Sequence, residues 1–358
     1  MTQPRRNGFD TESYVQIQTK RIREKIEAYE GPTYIEFGGK PFGDHHAARV
    51  LPGYDYNCKA RILHELGLIA KIVMVVNARD ILPEPTGRYP RGRIRGDSNL
   101  KYHEETIRMI ANARDLGISI EDVVLSITPY LLNAIDEGKI QSFQESLDDC
   151  RIKFYRHFEI KNYPHPSILG QIEEMFTRND VITEPGKHII VFSPGGGSGK
   201  FGVILSEIYH ALRRGVIPNF LKFETFPVFA LPERHPLNLA FEAATADLRN
   251  SVIQLSEGIT TYDKDIENFQ LLKGLYYYCG VDISHPIIRM LNPTDMGVNL
   301  IQQGIYEMRE VVEACGIEIL RRYQRYVAEH AAGTGKLATV LRAKGILEEY
   351  INQYPSMI

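Results

Sequence analysis

His188-Ile189-Ile190-Val191-Phe192-Ser193-Pro194-Gly195-Gly196-Gly197-Ser198-Gly199-Lys200 is an apolar run that gives way to a string of glycines and a lysine. The apolar part, His188–Phe192, shows no alternation of polar and apolar residues, so it reads as a strand buried on both faces. Helical spacing follows from about Phe201 to Arg213, and Gly215 closes it. A strand that turns through glycines into a helix presents unpaired backbone N–H groups and the positive end of the helix dipole. Glycines permit the positive φ angles of an anion nest and let a phosphate approach without meeting a Cβ. Gly195, Gly196, Gly197, Ser198, Gly199 and Lys200 are therefore the candidate ligand-binding residues, with Lys200 placed to offset outer phosphate charge.

Working outward, the same reading applies on both sides of this unit. Thr33–Phe37, Lys71–Val76, Asp122–Ile127 and Ile152–Tyr155 are expected strands; Thr11–Tyr29, Asn57–Leu66, Tyr102–Leu116 and Gln141–Asp149 are expected helices. Alternation of this kind predicts an α/β protein with a parallel sheet. The turn-rich Lys161–Gly170 and polar Thr177–Lys187 suggest a boundary. Residues 1–176 would form a Rossmann-like α/β domain. Residues 177–358 would form a P-loop-like α/β domain with a strand at Asn219–Phe223 and C-terminal helices. The stripe Ile301, Ile305, Met308, Val312, Cys315, Ile319, Tyr323 and Tyr326 predicts one or two helices packed on the core, with homo-oligomer formation as the alternative.

The glycine turn departs from G-x-x-x-x-G-K-[ST] at both ends, with Pro194 for the first glycine and Phe201 for the hydroxyl that holds Mg²⁺. The expected ligand is a small phosphorylated molecule such as ATP, with Mg²⁺ held by Ser198 or by a carboxylate from elsewhere. Glu224, at the end of the next strand, is expected to border the turn, because ligands of open α/β sheets gather at the carboxyl ends of strands. Glu242, on the proline-opened helix that His235 precedes, Asp247 just beyond that face and Asp295 in a Pro-Thr-Asp turn complete the candidate acid–base set with His235. Capping is the structural alternative for Asp295, and close packing for the alanine-rich His235–Asp247 segment. Arg88, Arg91, Arg93 and Arg95, among prolines and glycines in Glu84–Asn99, form either an exposed loop or an arginine lid over phosphates. Gly333-Thr334-Gly335-Lys336 follows a helix and reads as a terminus.

Other classes find less support. A formal net charge of -3 supplies no global basic field for nucleic acid or an anionic membrane. The polar start MTQPRRNGFDTESY is not a signal peptide, and no apolar run reaches the roughly eighteen residues that a membrane span needs. Cys58, Cys150, Cys279 and Cys315 form no C-x-x-C pair, which suits a reducing cytoplasm. His64-Glu65 and His103-Glu104 lack a histidine four residues after the first, and Asp44-His45-His46 cannot place both rings on one face. Transfer or ligation on a phosphorylated ligand is thus the first reading. A phosphometabolite sensor or scaffold is the second, and a metal-dependent hydrolase the third.

Six stretches together resemble one bacterial family: Ile35–Gly53 (IEFGGKPFGDHHAARVLPG), Arg95–Asp97, SPGGGSGK, Lys222–Pro227 (KFETFP), His235–Leu248 (HPLNLAFEAATADL) and Pro293–Asn299 (PTDMGVN). It is the domain of unknown function 1846 family, also called uncharacterised protein family 0371. The resemblance implies a shared α/β fold and brings no activity with it. Family members continue into a further C-terminal α/β domain, so it also implies a shortened member.

Overall fold

A computed structural model describes residues 7–82, 100–128, 137–159, 166–182, 184, 186–195, 197–224, 231–247 and 261–355. Helix α1 (Thr11–Glu27) starts where the Asp10 carboxylate accepts from Ser13 N. Then come β1 (Thr33–Phe37), α2 (His45–Val50), α3 (Cys58–Gly67), β2 (Lys71–Asn77), α4 (Ala78–Ile81), α5 (Tyr102–Asp115), β3 (Ile120–Ile127), α6 (Glu137–Asp149) and β4 (Lys153–Phe158). The second half supplies α7 (Ile172–Phe176), β5 (Ile189–Phe192), α8 (Lys200–Arg213), β6 (Asn219–Phe223), α9 (Pro236–Ala244), α10 (Thr261–Tyr278), α11 (Pro286–Arg289), α12 (Met308–Ala331) and α13 (Leu337–Gln353).

The six strands form one sheet, ordered β4-β3-β2-β5-β1-β6 and parallel throughout. Ile72–Val76 and Ile189–Phe192 are buried at every position, so both faces of the central strands are covered, as their unbroken apolar runs require. Helices α5 and α6 pack on β3 and β4, and α8 packs on β1 and β5. One edge, β4, stays half-exposed. The other, β6, is covered by α10: Tyr276 Oη donates to Pro218 O at 2.7 Å and Lys222 pairs with Asp265.

Two expectations change. The division at residues 176 and 177 does not separate two sheets, because β5 lies hydrogen-bonded between β2 and β1. Parallel pairing across the whole chain outweighs the polar stretch that suggested a boundary. The stripe from Leu300 is also broken: a 3-10 turn at Ile301–Gly304 precedes α12, and Phe9 bridges Ile305. Gly304 is needed there, since a Cβ would overlap the Phe9 ring. Met308 is 42% exposed, whereas Val312, Cys315, Ile319 and Tyr326 do face the core.

Candidate functional site

Because all strands run the same way, their carboxyl ends share one edge of the sheet. From β2 the chain moves outward to β3 and β4, then returns to lay β5 on the other side of β2. The gap above β2 and β5 is therefore the topological switch point, where open α/β sheets leave a crevice. The glycine turn occupies it. Gly197 and Gly199 have φ of 71° and 95°, and Gly199 leads into α8. Among the described residues no side chain caps the start of this fourteen-residue helix.

The walls of the turn explain its glycines. Arg79, at the start of α4, donates from Nη2 to Gly197 O at 2.7 Å, and a Cβ on Gly197 would press on that guanidinium. A Cβ on Gly199 would overlap Ser126 Oγ. Lys200 Nζ donates to Ser193 Oγ at 3.2 Å, and Ser193 Oγ donates to Gly195 O at 2.7 Å. Ser198 is 4% exposed, and its Oγ has no hydrogen-bond partner among the described residues. Phe201, standing where a metal-binding hydroxyl would be, packs on Phe220 with ring centroids 5.8 Å apart. Gly196 and the arginine-bearing 84–99 run lie outside the described residues.

Beside the turn, Asn77 ends β2 and caps α4, with Oδ1 accepting from Arg79 N at 3.0 Å. Its Nδ2 donates to Glu159 Oε1 at 2.6 Å, and Ser126 Oγ lies 3.4 Å from the same oxygen. Burial holds the Glu159 carboxyl above its ordinary pKa, against the lowering effects of Asn77 and Arg79. None of Asn77, Arg79, Ser126 and Glu159 stands out by spacing. The signal that finds them is their shared place at or just beyond strand ends.

On the β1–β6 side, Glu224 follows β6 and fits only because Gly38 has no side chain; a Cβ there would overlap Glu224 Cγ. Lys222 Nζ bonds Asp265 Oδ1 at 2.7 Å and lies 3.5 Å from Glu224 Oε1. Glu36, paired with Lys222 across the β1–β6 ladder, has Oε2 buried without a hydrogen-bond partner among the described residues. Three carboxyl groups thus crowd one ammonium. Burial, with repulsion from Asp265 and Glu36, pushes Glu224 up to about 8, although Lys222 and Lys200 pull it down. Asn299 fixes the backbone, accepting from Glu224 N at 3.0 Å and donating to Lys222 O at 3.2 Å.

The other candidates have structural partners. Glu242 pairs with Arg342 of α13 at 2.6 Å. Asp247 accepts from Tyr326 Oη at 3.3 Å. His235 caps α9, with Nδ1 accepting from Leu237 N at 3.3 Å. Asp295 closes a capping box with Asn292, accepting from Leu291 N at 2.6 Å. In the first half, Asp44 caps α2 and pairs with Lys59 at 2.8 Å, while His46 turns to Glu318 at 3.5 Å. Among the described residues no three His, Cys, Asp or Glu side chains are grouped to hold a metal ion, and no helix is long and apolar enough to cross a membrane. A cavity of about 770 Å³ between α1 and α3 is lined by residues leading into β2 and β3, such as His64 and Leu116, by the ion pair Arg23–Glu65, and by Arg61, whose guanidinium is paired with Glu12.

Fold and site together define a doubly wound α/β protein with a glycine-rich turn at its switch point. The chain belongs to the family described as domain of unknown function DUF1846, N-terminal, which it matches over residues 7–351. It is 36% identical to a UPF0371 protein of Clostridium botulinum strain Eklund 17B over 349 residues, 96% of this chain and 66% of that protein. A UPF0371 protein of Corynebacterium urealyticum is 36% identical over 90% of this chain and 63% of its own length. One of Streptococcus pneumoniae is 34% identical over 96% and 67%. The chain therefore spans about two thirds of the length of these relatives.

Proposed function

We propose that this chain binds a small phosphorylated molecule, ATP among the candidates, at Gly195–Lys200 and serves phosphoryl transfer or ligation. The observation that carries this reading is the N-terminus of α8 behind two left-handed glycines, with Arg79 and Lys200 beside it and, among the described residues, neither a side-chain cap on the helix nor a hydrogen-bond partner for the buried Ser198 hydroxyl. Such a terminus offers directed N–H donors to an anion, and two cations favour a dianion over a neutral ligand. Lys200 would offset charge on the phosphoryl oxygens. Glu224, which Lys200 approaches closely enough to perturb, would be a proton donor at neutral pH, since its carboxyl is held well above the ordinary carboxylate range.

Phe201 favours a second reading. Filling the place of the Mg²⁺-binding hydroxyl with a packed aromatic ring suits a site that binds and reports without turnover. Calorimetry against phosphate, pyrophosphate, ATP, GTP and sugar phosphates, with and without Mg²⁺, decides between them. Binding that Lys200→Ala weakens by about tenfold or more supports the cradle. Consumption of the bound ligand supports transfer, and binding without consumption supports the sensor. No binding of any of these anions sinks both.

A further inference from the structure

We propose that the ligand of this cradle carries hydroxyl groups near its phosphate, as a sugar phosphate or nucleoside monophosphate does, and that Glu159, set by Asn77 and Ser126, reads them. The inference rests on the cradle reading and names its substrate class.

The three residues form a shelf fixed by backbone pairing. Asn77 of β2 is the register partner of Ser126 of β3, and Glu159 N continues the next ladder by donating to Ile127 O at 2.8 Å. Asn77 is locked at both ends of its amide, Oδ1 to Arg79 N and Nδ2 to Glu159 Oε1. The shelf also touches the cradle. A Cβ added to Gly199 would overlap Ser126 Oγ and lie 3.8 Å from Glu159 Oε1. Asn77 Nδ2 itself faces Gly197 O at 3.5 Å.

A carboxylate on the wall of an anion site makes no sense for a bare phosphate, which it repels. It makes sense for a ligand that brings donors. A carboxylate has about four acceptor positions, and the hydrogen bonds described above all go to Oε1 of Glu159. Hydroxyls adjoining the phosphate would meet that acceptor while the phosphate meets the helix terminus. The raised pKa of Glu159 agrees with a group enclosed beside the crevice rather than one solvated on the rim.

The test compares inorganic phosphate, ribose 5-phosphate, AMP and 2′,3′-dideoxy-AMP by calorimetry on the full chain. Ribose 5-phosphate and AMP are expected to bind about tenfold or more tighter than phosphate, and the dideoxy analogue to lose most of that gain. Glu159→Gln should erase the preference and, by removing a repelling carboxylate, tighten bare phosphate slightly. The inference is overturned if phosphate binds as tightly as ribose 5-phosphate, or if AMP and its dideoxy analogue bind alike. Equal weakening of phosphate and AMP by Glu159→Gln would make Glu159 a structural tie and also overturn it. In those cases the cradle stands. Failure of every phosphate compound removes both readings. The ligand-side comparison holds even where the variant folds poorly.

Discussion

At Gly199 two demands meet in one residue: a φ of 95° that L side chains rarely adopt, and a neighbouring hydroxyl, Ser126 Oγ, in the space a Cβ would fill. Gly199→Ala should cost about 1–3 kcal/mol of stability, from left-handed strain and displacement of Ser126. Denaturant titration reads the stability, and phosphate calorimetry on the folded fraction should show weakened binding, because the first N–H groups of α8 are re-aimed. Wild-type stability and binding in this variant would remove the argument for glycine. Glu224 gives a pH prediction whose sign is determinate. Its folded pKa lies above the ordinary 4.5, near 8, so between these values the folded chain holds a proton that the unfolded chain has lost. Stability from this group is full below about 4.5 and falls as pH rises towards 8. Glu224→Gln, which cannot ionise, should flatten this decline in pH-dependent unfolding curves; an unchanged slope refutes the raised pKa. At this scale the glycines, Lys200 and Glu224 were legible in the sequence because motif and strand end are local signals. Asn77, Ser126 and Glu159 were not, since they are single polar residues on three segments that only strand register brings together.

Elements were readable where their signals were continuous. Lys71–Val76 declares a buried strand and Tyr102–Leu116 a helix stopped by Gly117, and the structure places β2 and α5 within a residue of both. Ile152–Tyr155 was read early by one residue and short by three, because β4 is an edge strand with mixed exposure and weak patterning. What holds one element to another was less readable, and β6 with α10 shows why. Lys222 and Asp265 are 8% and 10% exposed in their side chains and 2.7 Å apart, a buried pair that no spacing announces. Asp265→Asn leaves the ammonium to Glu224 and Glu36 and should destabilise by about 3–5 kcal/mol. It should also lower the Glu224 pKa, since one repelling carboxylate is gone and Lys222 is freed to pair with it. Replacing both partners, as Lys222→Met with Asp265→Leu, should recover much of the loss, because a buried ion pair is close in stability to an apolar pair of similar volume. Equilibrium unfolding of Lys222→Met, Asp265→Leu and the double variant checks this. Additive losses would show that Lys222 and Asp265 do not act as a pair.

For the whole molecule the decisive fact is that β5 divides β1 from β2. Fold class was legible, because alternating strands and helices predict a parallel sheet wherever the strands finally lie. Strand order was not: Tyr34 pairs with Ile189 and Thr33 with Asn219, and no local pattern encodes partners so distant in sequence. Such pairing makes the sheet interdependent. A fragment of residues 1–176 would hold β1 and β2 with no strand between them, exposing β1 on both edges and β2 on one. Unpaired backbone groups along apolar strands are costly and prone to association. Residues 177–358 would hold β5 and β6, which do not pair with each other, since β1 lies between them. Neither fragment should fold alone, while the full chain should unfold in one transition by circular dichroism and by hydrogen exchange at β1 and β5. Mixing the two should restore native exchange protection at β5 and, with it, whatever phosphate binding the full chain shows, because the turn's walls come from both: Arg79 and Ser126 from one, Gly197 and Gly199 from the other. A cooperative, protected fold in residues 1–176 alone would reinstate two domains and remove the dependence of the crevice on the assembled sheet.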